Sequence, residues 1–438
     1  MVLLPAPTGT VLWRSDGHPL GGRCDRFSPR RTSSPRHLPF RFDGRKHQKS
    51  ADRKTSASLI TDPGDFAVGR YVGEYGFINV TSYSSFQSGG PSAIGRVEVP
   101  TLQYSLEDIE RLRVQDVGEG RVKIRLYEGR IIRGSLKGTR VIFKVYPGPR
   151  AGGVEADMMA ANELNCHASL QTETSSICDN IQILLGGFET RTGEQWLAFR
   201  NDGLYSAADY AKVASEGISK DLVKRKSSIF TDIKWEGKLK RRKLFIVKLL
   251  SGTMNGLAFM HQHDRLHQSI GPASIVLNTI LEEEATYLVP RLRDLAFSVD
   301  IRYTSLEVET GALSDGLWRR ASAAGAYTPL EKRAYGVADD IYEAGLLFAY
   351  LAFVPFCETG VMDGLSLRRL LESTFQLDLG AVREYCIADD RLQEAVNFLD
   401  VGNSAGWELL QAMLGRDYRQ RPIAEAVLNH RFMTSAVL

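Results

Sequence analysis

The run Leu266-His267-Gln268-Ser269-Ile270-Gly271-Pro272-Ala273-Ser274-Ile275-Val276-Leu277-Asn278 decides the fold. Upstream of it, Leu244-Phe245-Ile246-Val247-Lys248-Leu249-Leu250 continues through Met254, Leu257, Ala258 and Met260 at helical spacing, which predicts a buried helix. Downstream, Ile275-Val276-Leu277 is short and β-branched, and Tyr287-Leu288-Val289 is a second apolar strand leading into Arg293-Asp294-Leu295-Ala296. The order is helix, polar loop, hairpin, then an acidic residue at a turn.

The 438 residues leave room for a large core in two lobes. Hydrophobic content of 43% and charged content of 24% are ordinary for a soluble globular protein. A net charge of +3, with much of the excess in the first fifty-odd residues, argues against a dedicated nucleic-acid binder. Cys24, Cys166, Cys178, Cys357 and Cys386 are scattered, with no CxxC and no histidine spacing suited to zinc, so they read as reduced buried thiols. The apolar stretch Ala344 to Phe356 is shorter than the about 20 residues a bilayer requires and reads as a core helix.

Residues 1–55 interleave Arg14, Arg23, Arg26, Arg30, Arg31, Arg36, Arg41 and Arg45 with serines and few acids, the composition of a transit peptide. Pro5, Pro7, Pro19, Pro29, Pro35 and Pro39 would break a long amphipathic helix, which favours a chloroplast signal over a mitochondrial one. The alternative is a disordered basic tail of a cytosolic or nuclear protein. Residues 56–105 read as a leader and linker, with short strands at Phe66–Val72 and Phe77–Val80 and a Ser/Gly-rich stretch from Ser82 to Ser92. Gly69, Gly73 and Gly76 have no helix or paired lysine following at useful spacing, which argues against a phosphate loop there.

Several landmarks then fall in a known order. Val117-Gly118-Glu119-Gly120-Arg121-Val122 is a GxG turn before a strand, and Val141-Ile142-Phe143-Lys144-Val145-Tyr146 is a strand carrying one lysine. Asp157 to Leu170 reads as a helix with Glu163 at its centre, and Trp196 to Gly203 as a strand and hinge. Ala338-Asp339-Asp340-Ile341-Tyr342-Glu343-Ala344-Gly345 opens a buried helix, and Asp417-Tyr418-Arg419-Gln420-Arg421-Pro422 lies near the end. The set resembles the protein kinase superfamily, with His267-Gln268-Ser269 where His-Arg-Asp is expected and Asp294-Leu295-Ala296 where Asp-Phe-Gly is expected. The departures make it similar to a degenerate member, a plant plastid pseudokinase.

The resemblance implies an α+β, two-lobed protein-kinase-like fold, with a β-rich small lobe over residues 106–205 and a mostly helical large lobe over 206–438. It implies that Gly118 and Gly120 approach the phosphates of ATP, that Lys144 touches them, and that Glu163 pairs with Lys144, with Asp157 and Glu155 as alternatives. Asp294 would hold Mg²⁺, and Asp340 would brace the catalytic-loop backbone. Arg421 would pair with Glu331, which stands near the end of an Ala-Pro-Glu-like stretch. Cys166 and Cys178 would fall near the regulatory helix, where a redox role stands beside the structural one.

Ser269 stands at the position of the lost catalytic aspartate and Ser274 at that of the metal-binding asparagine. A serine hydroxyl stays neutral near pH 7, so it is a poor base and a weak Mg²⁺ ligand. Two readings follow: a pseudokinase scaffold or allosteric partner that binds ATP, and a weak or unconventional protein Ser/Thr kinase using Lys144, Asp294 and one Mg²⁺. The partner or substrate is a protein in both. The basic insertion, residues 220–243, reads as a solvated loop, with docking to an acidic partner or the anionic thylakoid surface as the sharper alternative. Thr279 to Ala285 lengthens the hairpin before Asp294 and reads as a surface insertion.

Overall fold

The computed structural model describes residues 59–76, 122–172, 177–225, 232–307 and 313–434. Its small lobe is built on β1 (Phe66–Gly76), β2 (Lys123–Ile131), β3 (Arg140–Tyr146), β4 (Leu184–Glu189) and β5 (Gln195–Arg200), in the spatial order β1-β2-β3-β5-β4 and antiparallel throughout. Helix α1 (Pro149–Thr172) follows β3 and packs under the sheet. The alternation of β3 sorts its side chains. Val141, Phe143 and Val145 join Phe66, Ile131 and Ala198 in one apolar cluster, while Tyr146 packs with Met159 and Ala160 of α1. On the first face Trp196 stacks between Phe188 and Tyr127, with centroids 5.6 and 5.1 Å away.

The stretch Phe66–Gly76, expected in a leader outside the small lobe, is the sheet's edge strand. The small lobe therefore begins well before residue 106. Just upstream, Leu59 and Ile60 run along the opposite edge. Ile60 N–H donates to Leu185 O at 3.0 Å, and Gly187 N–H donates to Ile60 O at 2.9 Å. Ile60 thus covers the β4 edge of the sheet, which would otherwise expose unpaired backbone groups. The fit at β4 is close: a Cβ on Gly186 would lie 2.0 Å from Ile60 O.

The large lobe is organised by two buried helices, α3 (Asp232–Gln262) and the later α6 (Pro329–Phe353). Phe245, Ile246, Leu249, Leu257 and Met260 keep helical spacing and are buried, as the periodicity predicts. By length and composition Trp235–Gln262 could cross a membrane, but 72% of its apolar window is buried within the protein, so it serves as a core helix. Between α3 and α6 come β7 (Arg265–Leu266), β8 (Ile275–Leu277), β9 (Arg291–Leu292) and β10 (Val299–Asp300), then α4 (Tyr303–Glu307) and α5 (Asp315–Ala323). β8 pairs with β9 and with β6 (Tyr205–Ser206), and β7 pairs with β10. A five-stranded sheet with one long helix, joined through a single β5 linker to a mostly helical lobe, is the two-lobed protein-kinase-like fold.

Two expected features differ. Residues 207–225 form helix α2, which with the start of α3 takes up much of the basic insertion. Its cations are partly committed to the protein's own acids. Arg242 is buried and pairs with Glu282 at 2.6 Å, Arg241 lies 3.7 Å from Glu283, and Lys238 lies 2.5 Å from Asp221. The lengthened hairpin is thus the partner of the basic insertion rather than a separate surface feature.

The Arg421–Glu331 pair is not formed. Glu331 sits at the third position of α6 and folds back as the acid of a capping box, accepting from Thr328 N–H and Tyr327 N–H, each at 3.0 Å. Arg421 donates instead to Gly415 O at 2.7 Å and Ala338 O at 3.0 Å. Because α6 begins directly at Pro329, the glutamate is needed at the helix start and is unavailable further away.

The Ile60–Gly186 contact gives a test. Gly186→Val forces backbone apart at a place with no room for Cβ, and overpacking of this kind costs about 1–3 kcal/mol. Urea denaturation should show that loss for Gly186→Val and less than half of it for Gly73→Val, where no atom lies within 4 Å of the added Cβ and the backbone is extended strand.

Candidate functional site

Three separate parts of the chain bring charge into the cleft. Lys144, on the α1-facing side of β3, donates to Glu163 Oε1 and Oε2 at 2.6 and 2.7 Å and to Asp294 Oδ1 at 2.8 Å. The side chains of Lys144, Glu163 and Asp294 are 3%, 0% and 7% exposed, so these charges must be met by partners within the protein. Of the acids on α1 the partner is Glu163; Glu155 is exposed and Asp157 half-buried. Tyr146 O–H also donates to Glu163 Oε2, and Leu295 N–H approaches Glu163 Oε1 at 3.3 Å. Burial alone would lower the ammonium pKa of Lys144, but Asp294 and Glu163 outweigh it and raise it.

Asp294 has a left-handed backbone, φ 66°, and this turn aims its carboxylate at Lys144. Burial would raise its pKa, yet Lys144 and Arg293 hold it at about 2. Its second oxygen, Oδ2, lies 3.3 Å from Arg293 Nε. α1 is pinned to the segment after this turn by Asn162, whose amide donates to Ala296 O and Ser298 O at 2.8 Å each. Beside Glu163, His167 is fully buried against Phe199, and burial together with Lys144 pushes its imidazole down to about 3.

The polar loop is fixed from below. Asp340, wholly buried in α6, accepts from His267 N–H at 2.8 Å, His261 Nε2 at 2.9 Å, Gln268 N–H at 2.9 Å and the Gln268 amide at 3.0 Å. This is the bracing role expected of Asp340. The loop serines face inward. Ser269 Oγ donates to Asp294 O at 2.6 Å. Ser274 Oγ accepts from Gly271 N–H at 3.0 Å and donates to Gly271 O at 2.9 Å. Both hydroxyls hold backbone and neither is aimed into the cleft.

These residues are a poor fit for the metal that the fold family implies. Asp294 Oδ1 is engaged by Lys144 and by the Tyr75 hydroxyl, at 2.7 Å, and Oδ2 by Arg293. No group of three or more His, Cys, Asp or Glu suited to a metal ion exists among the described residues. Beyond β5 the linker residues Asn201 to Leu204 border a cavity of about 640 Å³, lined also by Gly69, Gly129 and Arg140; Lys144, engaged by Glu163 and Asp294, is not part of its lining. Gly118 and Gly120 lie outside the described residues.

Sequence reasoning did not single out Tyr75, Tyr146, Arg293, Asn162 or His167. Tyr75 carried a signal, its place between Gly73 and Gly76, which β1 brings above Lys144. Cys166 is buried, donates to Ser298 Oγ at 3.1 Å, and burial pushes its thiol up to about 11. It is a structural thiol rather than a reactive one.

No protein-family model matches the chain, and no curated protein matches it. A solved structure described as a Stt7 homolog from Micromonas algae soaked with ATP is 18% identical, covering 80% of this chain and 98% of that one with a TM-score of 0.48.

The Asp340 brace is testable. Burial would raise its pKa, but His261, His267 and the loop N–H groups lower it overall. Its stabilisation is therefore full above the unfolded carboxylate pKa, about 3.9, and is lost as pH falls through the lower folded value. Asp340→Ala should cost about 3–5 kcal/mol at pH 7 and flatten the acid limb of stability against pH. An unchanged acid limb in chemical denaturation would exclude the brace.

Proposed function

We propose that the chain is a kinase-like protein that does not transfer phosphate efficiently and acts as a scaffold or allosteric partner of another protein. The observation that carries this reading is the use of Ser269 Oγ and Ser274 Oγ as backbone clamps, at the two positions where a base and a second metal ligand are required. A clamping hydroxyl neither accepts a substrate proton nor coordinates a cation. ATP is the ligand class we assign to the cleft, through Lys144 and the linker after β5. The protein partner is preferred over an anionic membrane surface because Arg242 is buried against Glu282 while Lys238 and Arg241 lie beside acids of the same fold.

The weak Ser/Thr kinase reading draws on a different observation. The Lys144–Glu163 pair is formed and α1 is held against Asp294, an arrangement that active kinases also require. Phosphoryl transfer rests largely on positioning and electrostatics, so this geometry favours some residual rate.

One assay separates the two. A positioned base contributes about 10²–10⁴ in rate. With ATP, Mg²⁺ and a generic Ser/Thr peptide, the wild type should fall far below the roughly 1–100 s⁻¹ of kinases. Ser269→Asp with Ser274→Asn should raise the rate, since a carboxylate cannot donate to Asp294 O and must turn into the cleft. Ordinary wild-type rates, abolished by Lys144→Ala, would overturn the non-catalytic reading.

We also propose a chloroplast location, on the Arg/Ser-rich, acid-poor composition of residues 1–55. A fluorescent fusion of that segment should enter plastids; retention in the cytosol or delivery to mitochondria would count against it.

A further inference from the structure

Tyr75 lies over Lys144, the residue assigned above to the phosphates of a nucleotide. β1 brings it there, paired with Ile124 of β2. Its hydroxyl donates to Asp294 Oδ1 at 2.7 Å, the oxygen that Lys144 reaches at 2.8 Å. Its ring centre lies 5.8 Å from Lys144 Nζ and 5.8 Å from Arg293 Cζ, close enough for cation–π attraction to both. The residue is 9% exposed, and its ring packs with Val122, Ile124, Leu197 and Phe199.

The phenol takes two of the roles that a bound nucleotide and its metal would fill: its ring presents electron density to two cations, and its hydroxyl satisfies the carboxylate of Asp294. Gly73 and Gly76 flank it, and neither offers a side chain that would hinder a swing of this end of β1.

We propose that Tyr75 is a built-in latch that occupies the phosphate site and keeps the cleft closed to ATP until it swings out. The proposal rests on the assignment of ATP as the ligand class of the cleft. It goes further by making binding depend on a conformational step. Apparent affinity is then the intrinsic affinity reduced by the fraction of molecules with the latch open. Whatever moves the end of β1, a partner protein included, would control nucleotide binding.

Binding of ATP–Mg²⁺ to the full chain, measured by calorimetry for the wild type, Tyr75→Phe and Tyr75→Gly, tests the latch. Tyr75→Phe removes one hydrogen bond to a charged group and should tighten binding about tenfold. Tyr75→Gly removes the occupant and should tighten it further. Equal affinity in all three, or weaker binding in both variants while their melts stay cooperative, would overturn the latch. That outcome would leave the non-catalytic reading intact, since the latter rests on Ser269 and Ser274.

A second measurement needs no variant. Nitration of the wild type followed by peptide mapping should leave Tyr75 protected while Tyr71, half exposed on the same strand, reacts. Nitration of Tyr75 at the rate of Tyr71 would overturn the proposal even if the variants do not fold.

Discussion

One buried cation, one partly buried cation and two buried anions meet in one place, and the architecture around them follows from that. Lys144 comes from the sheet, Glu163 from α1, and Asp294 with Arg293 from the turn that leaves the hairpin. Charges removed from water are tolerable only when paired, and loss of one partner typically costs about 3–5 kcal/mol. Each element is therefore held by the other two. In an active enzyme of this fold α1 can swing away as part of regulation. Here Asn162, Tyr146 and Leu295 N–H add further ties between α1, β3 and the turn, so α1 is fixed to the large lobe without help from a ligand.

A second polar knot lies directly beneath. Asp340 collects four donors from α3 and the loop, and the loop in turn carries Ser269, which grips the backbone of Asp294. The two knots share the Asp294 turn. The consequence for chemistry is that residues which could have faced a substrate are used to hold backbone. The hydroxyls of Ser269 and Ser274 that tighten this centre are the same ones that its sequence places in the loop.

Much of this was legible in the sequence because the informative residues sit in strong local contexts. Lys144 lies alone among β-branched and aromatic neighbours in a short strand, Glu163 on the helix that follows, and Asp340 at the head of an apolar helix. Each context fixes both an element and a face. Tyr75 was not legible in the same way. Residues 77–122 separate β1 from β2, so the usual interval between a glycine turn and its lysine is lost, and pairing across that gap is a tertiary fact. The misplaced pair has a local cause: Glu331 satisfied a capping box three residues from Thr328, and a nearby N–H outcompetes a distant guanidinium. The partnership of the basic helix and the acidic hairpin was hidden because each insertion, read singly, resembles a solvated surface.

The strap formed by Leu59 and Ile60 has a bearing on how the molecule is made. It emerges from the ribosome before any other part of the sheet, yet its partners are Leu185 and Gly187, and β1 just behind it must wait for β2. Contacts between such distant parts of a chain form slowly. Until β4 appears, the first-made strand has no place to go, and its unpaired edge is open to wrong neighbours. The segment that finishes the small lobe is the part of it synthesised first, so the sheet is completed only once β4 has been made.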